Sequence, residues 1–254
     1  MTDKKPSRNV MQQRLEPRDS LDDFPTPPWA TRALIEHVLR PYFGATRSMD
    51  ALEPACNRGY MVRPLREFFS FVQHYDIHDY GFGPVRDFLT FPHEPGSVDW
   101  VITNPPFRLA EKFIFTALDV VQPKQGMAML VRTSFLEGQK RWEKIFSDRF
   151  MRPSLVAQFA ERVPMVKGRF DPLASTATSY AWLVWRLTRI DIREPTEIVW
   201  IPPCRKELDR LSDRVESEPW QTKVPHAPMP IEKKVLENLR ELMARKPEQE
   251  ATTA

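Results

Sequence analysis

The chain has 254 residues, enough for one α/β domain with extensions and too few for two domains of average size. A formal charge of +3 permits a nucleic-acid partner without requiring one. Two cysteines, Cys56 and Cys204, and five scattered histidines give neither metal-ligand spacing nor a disulfide framework, and no apolar run reaches membrane-spanning length; the expectations are no metal, no membrane partner and a reducing, cytoplasmic setting.

Residues 1–23 are polar and charged without a period, which predicts a mobile arm whose Lys4, Lys5, Arg8, Arg14 and Arg18 are solvated. A domain then runs over 24–190. Thr26 is placed to cap a helix with Pro27 at its first position, and Ala30, Leu34, Ile35 and Val38 give that helix one apolar face. Residues 49–54 read as the first strand and 61–69 as a helix, with the loop Glu53-Pro54-Ala55-Cys56-Asn57-Arg58-Gly59-Tyr60 between them. A second strand, 71–77, carries Asp76 17 residues beyond Gly59, near the offset at which nucleotide-binding folds place a ribose-binding carboxylate.

Further strands are expected at 97–103, 126–133, 155–160 and 180–188, and helices at 109–121 and 139–148. Strands alternating with helices predict a doubly wound, mostly parallel sheet, and the last two strands, with little helix between them, predict an antiparallel edge strand. The segment between those strands mixes cations with aromatics, so Lys167, Arg169 and Phe170 are candidate substrate contacts. Residues 191–254 are expected to form a helical extension, where Ile231, Val235, Leu239 and Leu242 make an apolar stripe that would dock on the domain; a monomer is the expected state.

The most informative stretch is the apolar strand 97–103 running into Asn104-Pro105-Pro106-Phe107. Neither proline can donate to a ladder, so the strand must stop there and leave the tetrapeptide at its carboxyl end, where open α/β sheets bind ligands. The amide of Asn104, the carbonyl of Pro105 and the ring of Phe107 supply two acceptors beside one π-face. A planar aminopurine offers the matching two N–H donors and a face to stack.

These residues resemble the S-adenosylmethionine-dependent N6-adenine DNA methyltransferases, the small solitary phage-associated type among them. Asn104-Pro105-Pro106-Phe107 resembles the family's catalytic motif, and Glu53 to Gly59 its cofactor loop. The resemblance implies a Rossmann-like class I methyltransferase fold. It also implies S-adenosyl-L-methionine as cofactor, held by Thr26, Pro27, Glu53, Pro54, Ala55, Asn57, Gly59, Asp76, Ile77, Asp87, Phe88 and Asn104, with DNA as partner. In the implied mechanism the two acceptors take both N–H bonds of an extruded adenine, stabilising the charge that develops on nitrogen, while Phe107 stacks on the base. One departure is Asn57, which stands where the family has its first loop glycine, though Asn tolerates positive φ better than most residues.

RNA adenine methyltransferases and protein-glutamine methyltransferases carry the same tetrapeptide, because each holds a planar NH₂ group, so these substrates remain alternatives. A third is a non-enzymatic nucleic-acid-binding protein whose cofactor site has decayed at Asn57.

Overall fold

Seven strands build one sheet: β1 (Asp50–Glu53), β2 (Phe71–His74), β3 (Trp100–Thr103), β4 (Gly126–Arg132), β5 (Leu155–Phe159), β6 (Tyr180–Arg186) and β7 (Glu197–Ile201). The structure, a computed structural model, describes residues 22–187 and 195–214. The arm cations Lys4, Lys5, Arg8, Arg14 and Arg18, and the stripe Ile231, Val235, Leu239 and Leu242, lie outside the described residues. The chain divides into two compact units, Met1–Asp209 and Arg210–Ala254, and the sheet belongs to the first.

The strands lie in the order β2-β1-β3-β4-β6-β5-β7. Only β6 runs antiparallel, pairing β4 on one side and β5 on the other. The doubly wound, mostly parallel sheet is therefore as expected. The antiparallel strand stands third from its edge instead of outermost, because β6 inserts between β4 and β5, and residues 197–201, expected within a helical extension, pair with β5 in parallel and extend the sheet as β7.

Alternation along the strands divides the core between the two faces. Trp100 and Ile102 of β3, with Ala128 and Leu130 of β4, pack in one cluster with Trp29, Leu34 and Trp182. Val101, Met127, Met129 and Val131 point into the other, with Phe113, Leu183 and Trp185. Helix α1 (Pro28–Leu34) covers the first face and continues through a wider turn, Ile35–Leu39, into α2 (Arg40–Phe43), which stops at Gly44 with φ 85°. On the second face lies α4 (Ala110–Phe115), carried on by Thr116–Val121. Two short helices complete the layers: α3 (Val62–Leu65), which packs beside α1 on the first face and runs on to Phe69 as turns, and α5 (Gln139–Arg141). A further one, α6 (Arg205–Leu208), follows β7.

The helix-start signal at Thr26 has a different use from the one expected. Helix α1 begins at Pro28, Pro27 occupies the cap position, and no side chain caps it. The Thr26 hydroxyl turns instead toward the site. A buried Arg32 fixes α1 by donating to both carboxylate oxygens of Glu67, at 2.7–3.2 Å, and to the Leu208 carbonyl at 2.9 Å.

Gly126, the first residue of β4, has no room for a side chain: a Cβ there would stand 2.1 Å from the Trp185 carbonyl and 3.0 Å from the Trp100 ring. Backbone cannot give way as a flexible side chain can, so Gly126→Ala should destabilise the fold by about 3 kcal/mol. Thermal melts measure this, and an unchanged midpoint would show that the β4–β6 ladder can shift.

Candidate active site

The chain leaves β1 for β2 on one side and returns across the sheet to β3 on the other, so the strand order reverses between β1 and β3. In open α/β sheets the ligand crevice lies outside the carboxyl ends at that point. Glu53 ends β1 and is fully buried. Its Oε1 accepts from the Thr103 hydroxyl at 2.7 Å and from the Ala55 N–H at 3.0 Å, joining the end of β3 to the loop after β1. Burial pushes its pKa up to about 8, against the lowering effect of those two bonds. The Glu53 Oε2 atom has no hydrogen-bond partner among the described residues.

The loop after β1 is a set of tight turns. Asn57 sits at φ 49°, so an asparagine does adopt the left-handed conformation expected of the glycine it replaces. Its side chain is also in use. Nδ2 donates to Asp23 Oδ1 at 2.6 Å, and Oδ1 accepts from the Arg58 N–H at 2.7 Å. Arg58 closes the triangle with an ion pair to Asp23 at 3.0 Å. Gly59, at φ 80°, lies under the Phe82 ring, which a Cβ would meet at 2.2 Å, so both its conformation and its lack of a side chain are required. Cys56 is buried in the same loop, its thiol 3.7 Å from the Asn57 carbonyl and its pKa raised by burial.

A cavity of about 340 Å³ opens above these turns. Thr26, Pro54, Ala55, Asn57, Asp76, Ile77, Asp87, Phe88, Asn104 and Pro106 all line it. The structure thus brings together ten residues picked from five separate stretches of sequence. Asp76 uses one carboxylate oxygen for the Asn57 N–H at 2.9 Å and the other for the His78 N–H at 3.0 Å, and burial raises its pKa. Asp87 caps its own turn through the Leu89 N–H at 2.9 Å. Phe88 is almost wholly buried against Phe113, with ring centroids 4.8 Å apart, and borders the cavity from within the core. Tyr60, His78, Tyr80, Leu109 and Phe113 also line the cavity and were not foreseen. Aromatic content near the loops was their only sequence signal.

Four candidates sit behind the walls: Pro27 at the start of α1, Glu53 beneath the loop, Gly59 under Phe82, and the buried Pro105. Phe107 lies to one side. Its ring is 5.6 Å from that of Phe24 and 6.3 Å from that of Tyr180, and the Arg132 guanidinium stands over it at 4.2 Å.

Asn104 is fixed by the segment that precedes α1. Its Nδ2 donates to the Phe24 carbonyl at 3.0 Å and to Thr26 Oγ1 at 2.9 Å, with the Met165 sulfur at 3.7 Å. A carbonyl and a thioether can only accept, so the NH₂ of the amide faces them and its oxygen faces away. That oxygen, Oδ1, is buried and has no hydrogen-bond partner among the described residues. Residues 22–26, expected as the junction of a mobile arm, are therefore a strap. Asp22 receives the Arg108 N–H at 3.4 Å, Asp23 holds Asn57 and Arg58, and the Asp23 carbonyl accepts from Gly168 at 2.8 Å.

That last bond ties down the loop expected to touch substrate. Lys167 is exposed at its tip, and Arg169 pairs with Asp171 at 3.1 Å. Phe170 corrects the expectation. It is buried, with its ring 5.5 Å from that of Tyr60, because the strap draws the loop inward, so it supports the cavity wall and does not face an open surface. Among the described residues no cluster of metal-ligating side chains occurs, and no helix is long and apolar enough to cross a membrane.

No known family profile matches this chain, and no curated protein matches it. Solved structures do resemble it. A type I restriction-modification methyltransferase subunit from Streptococcus thermophilus is 12% identical over 73% of this chain and 48% of its own, with a TM-score of 0.47. A dimethyladenosine transferase from Plasmodium falciparum is 15% identical over 86% of this chain and 88% of its own, with a TM-score of 0.42. A 23S rRNA methyltransferase is 16% identical over 63% of this chain and 67% of its own, with a TM-score of 0.42. This chain spans about half the length of the Streptococcus subunit. At such identities and TM-scores these likenesses carry no function over to this chain. The sheet itself is doubly wound and mostly parallel, with one antiparallel strand.

Two outcomes test the loop and its anchor. Glu53 holds its proton up to about pH 8 in the folded protein, whereas an unfolded chain releases it near 4.5. The folded state is therefore the better proton binder across that window, and stability falls as pH rises from the lower value through the upper one. In melts between about pH 5 and pH 9, Glu53→Gln should flatten that decline; an identical slope would mean that Glu53 is ionised when folded. Asn57→Gly relieves the positive φ but removes the bonds to Asp23 and Arg58, for a net loss of about 1–2 kcal/mol. A higher melting temperature in this variant would show that the side-chain bonds contribute less than the strain.

Proposed function

We propose that this chain transfers a methyl group from S-adenosylmethionine to the N6 amine of adenine in DNA. The observation that carries this is the bare Asn104 Oδ1, an oriented, buried acceptor at the carboxyl end of β3. A buried acceptor without a partner costs about 1–3 kcal/mol, a penalty removed when a ligand N–H arrives.

The residues around the cavity suit the cofactor. A volume of about 340 Å³ lies within the range of small-molecule sites. Asp76 would take the ribose hydroxyls, Ile77 and Phe88 the apolar faces of the adenine, Asp87 its amine, and Thr26 with the 54–57 loop the methionine end. When bound, the cofactor supplies an electrophilic methyl group on a sulfonium.

The chain's own residues then have two tasks. The target amine is a weak nucleophile because its lone pair is delocalised into the ring. By accepting one N–H at Asn104 Oδ1 and the other at the Pro105 carbonyl, the protein favours the pyramidal amine and stabilises the positive charge that grows on nitrogen. The strap keeps the amide from rotating, so no reorganisation is needed as the charge develops. Phe107 offers a face for the extruded base, which offsets part of its unstacking cost. Adenine in RNA and the amide of glutamine present the same NH₂ group. The aromatic surroundings of Phe107 favour a planar base over an aliphatic amide.

Transfer of labelled methyl groups to unmethylated DNA, RNA and protein, followed by nucleoside and amino-acid analysis, tests the proposal. N6-methyldeoxyadenosine is the expected product. Label confined to RNA or protein, or no transfer at all, would overturn it. Asn104→Ala should lower turnover by about 10²–10³, while cofactor affinity by calorimetry changes far less. Thr26→Val, which removes one of the two oxygens that orient the amide, should lose less turnover than Asn104→Ala, and weaken cofactor binding as well, since Thr26 also faces the methionine end.

A further inference from the structure

Arg132 ends β4 and stands beyond the sheet's carboxyl edge, since Thr103 of β3 is in register with Met129, three residues earlier. Its guanidinium lies 4.2 Å above the Phe107 ring and 5.6 Å from the Phe24 ring. Tyr180, its partner across the β4–β6 ladder, accepts a hydrogen bond from it. Three other arginines pair with carboxylates, Arg58 with Asp23, Arg169 with Asp171 and Arg141 with Glu111. For Arg132 no carboxylate of the described residues is within ion-pair distance, and its buried Nε has no partner. Among the described residues, this half-buried cation with a bare donor is held by ring faces and one phenol.

Resting on the methyltransferase reading above, we propose that Arg132 positions the substrate by binding the phosphate beside the target nucleotide. In the protein alone its guanidinium rests on the Phe107 face that a base must use. Two planar groups cannot share one face, so the arriving base displaces it. The guanidinium then needs an anion, and a nucleotide brings one on the same molecule as the base, whereas a glutamine side chain brings neither ring nor charge. Guanidinium and phosphate pair through two parallel N–H bonds, which satisfies the Nε–H left bare here.

The test uses the full-length protein and a fluorescent, adenine-rich single-stranded DNA oligonucleotide. Arg132→Gln should weaken binding by about ten- to a hundredfold, the worth of one charge-assisted bond. It should also lower the slope of log affinity against log salt by about 0.7, the value for one lost phosphate contact on a single strand. Arg132→Lys keeps the charge without the fork and should keep the wild-type salt slope with intermediate affinity. In methyl transfer the loss should fall on KM more than on kcat. Wild-type affinity and slope in Arg132→Gln would overturn the proposal, as would a loss of affinity with no change in slope. Failure of the wild-type protein to bind the oligonucleotide would overturn it too. If the wild-type protein binds DNA with the expected Arg132 dependence yet transfers no methyl group, the positioning role stands and the methyltransferase reading falls.

Discussion

A single oxygen, Oε1 of Glu53, joins the two halves of this site. It accepts from Ala55 at the start of the loop after β1 and from Thr103 at the end of β3, so the cavity floor and the Asn104 turn share one anchor. The anchor exists because β1 and β3 are parallel neighbours in the register Ala51 to Trp100, which brings their carboxyl ends level. Keeping the acid protonated avoids an isolated buried charge at the one place where both turns converge.

The strap of residues 22–26 adds the third point of support. Loops are poor places for a group that must be aimed to within a fraction of an ångström, unless something outside the loop holds them. Here one short segment holds Asn57 and Arg58 through Asp23, Gly168 through a carbonyl, and Asn104 through Phe24 and Thr26. The loop after β1, the Asn104 turn and the loop that holds Gly168 are thereby fixed relative to one another by neighbours distant in sequence.

Much of this was legible because it is local. The apolar run 97–103 halted by two prolines placed Asn104 at a strand end, and the strand, loop and helix pattern around residues 49–65 placed the loop after β1. What escaped depends on partners far along the chain. Asp23 looked like the end of a charged tail, since nothing in its neighbourhood reveals a bond to residue 57. Thr26 carried a helix-cap signal that tertiary structure redirected to Asn104, 78 residues on. Arg132 was read only as the end of a buried strand, because periodicity records the face on which a residue lies and not the ring that receives it. Phe170 differs again: cations around an aromatic made it a candidate substrate contact, and its ring packs inward.

Cys56 adds a built-in indicator to this arrangement. Its thiol is buried beneath the cavity and its pKa is raised, so little thiolate exists while the turns are closed. Alkylation from the cavity that Cys56 borders is therefore slow and is speeded by opening of the 54–60 loop, so its rate follows that local fluctuation, separate from global unfolding. Anything that braces the loop, whether a bound ligand above it or the strap beside it, slows that alkylation, and the degree of slowing reads out in chemical terms how rigid the loop is before any reaction occurs.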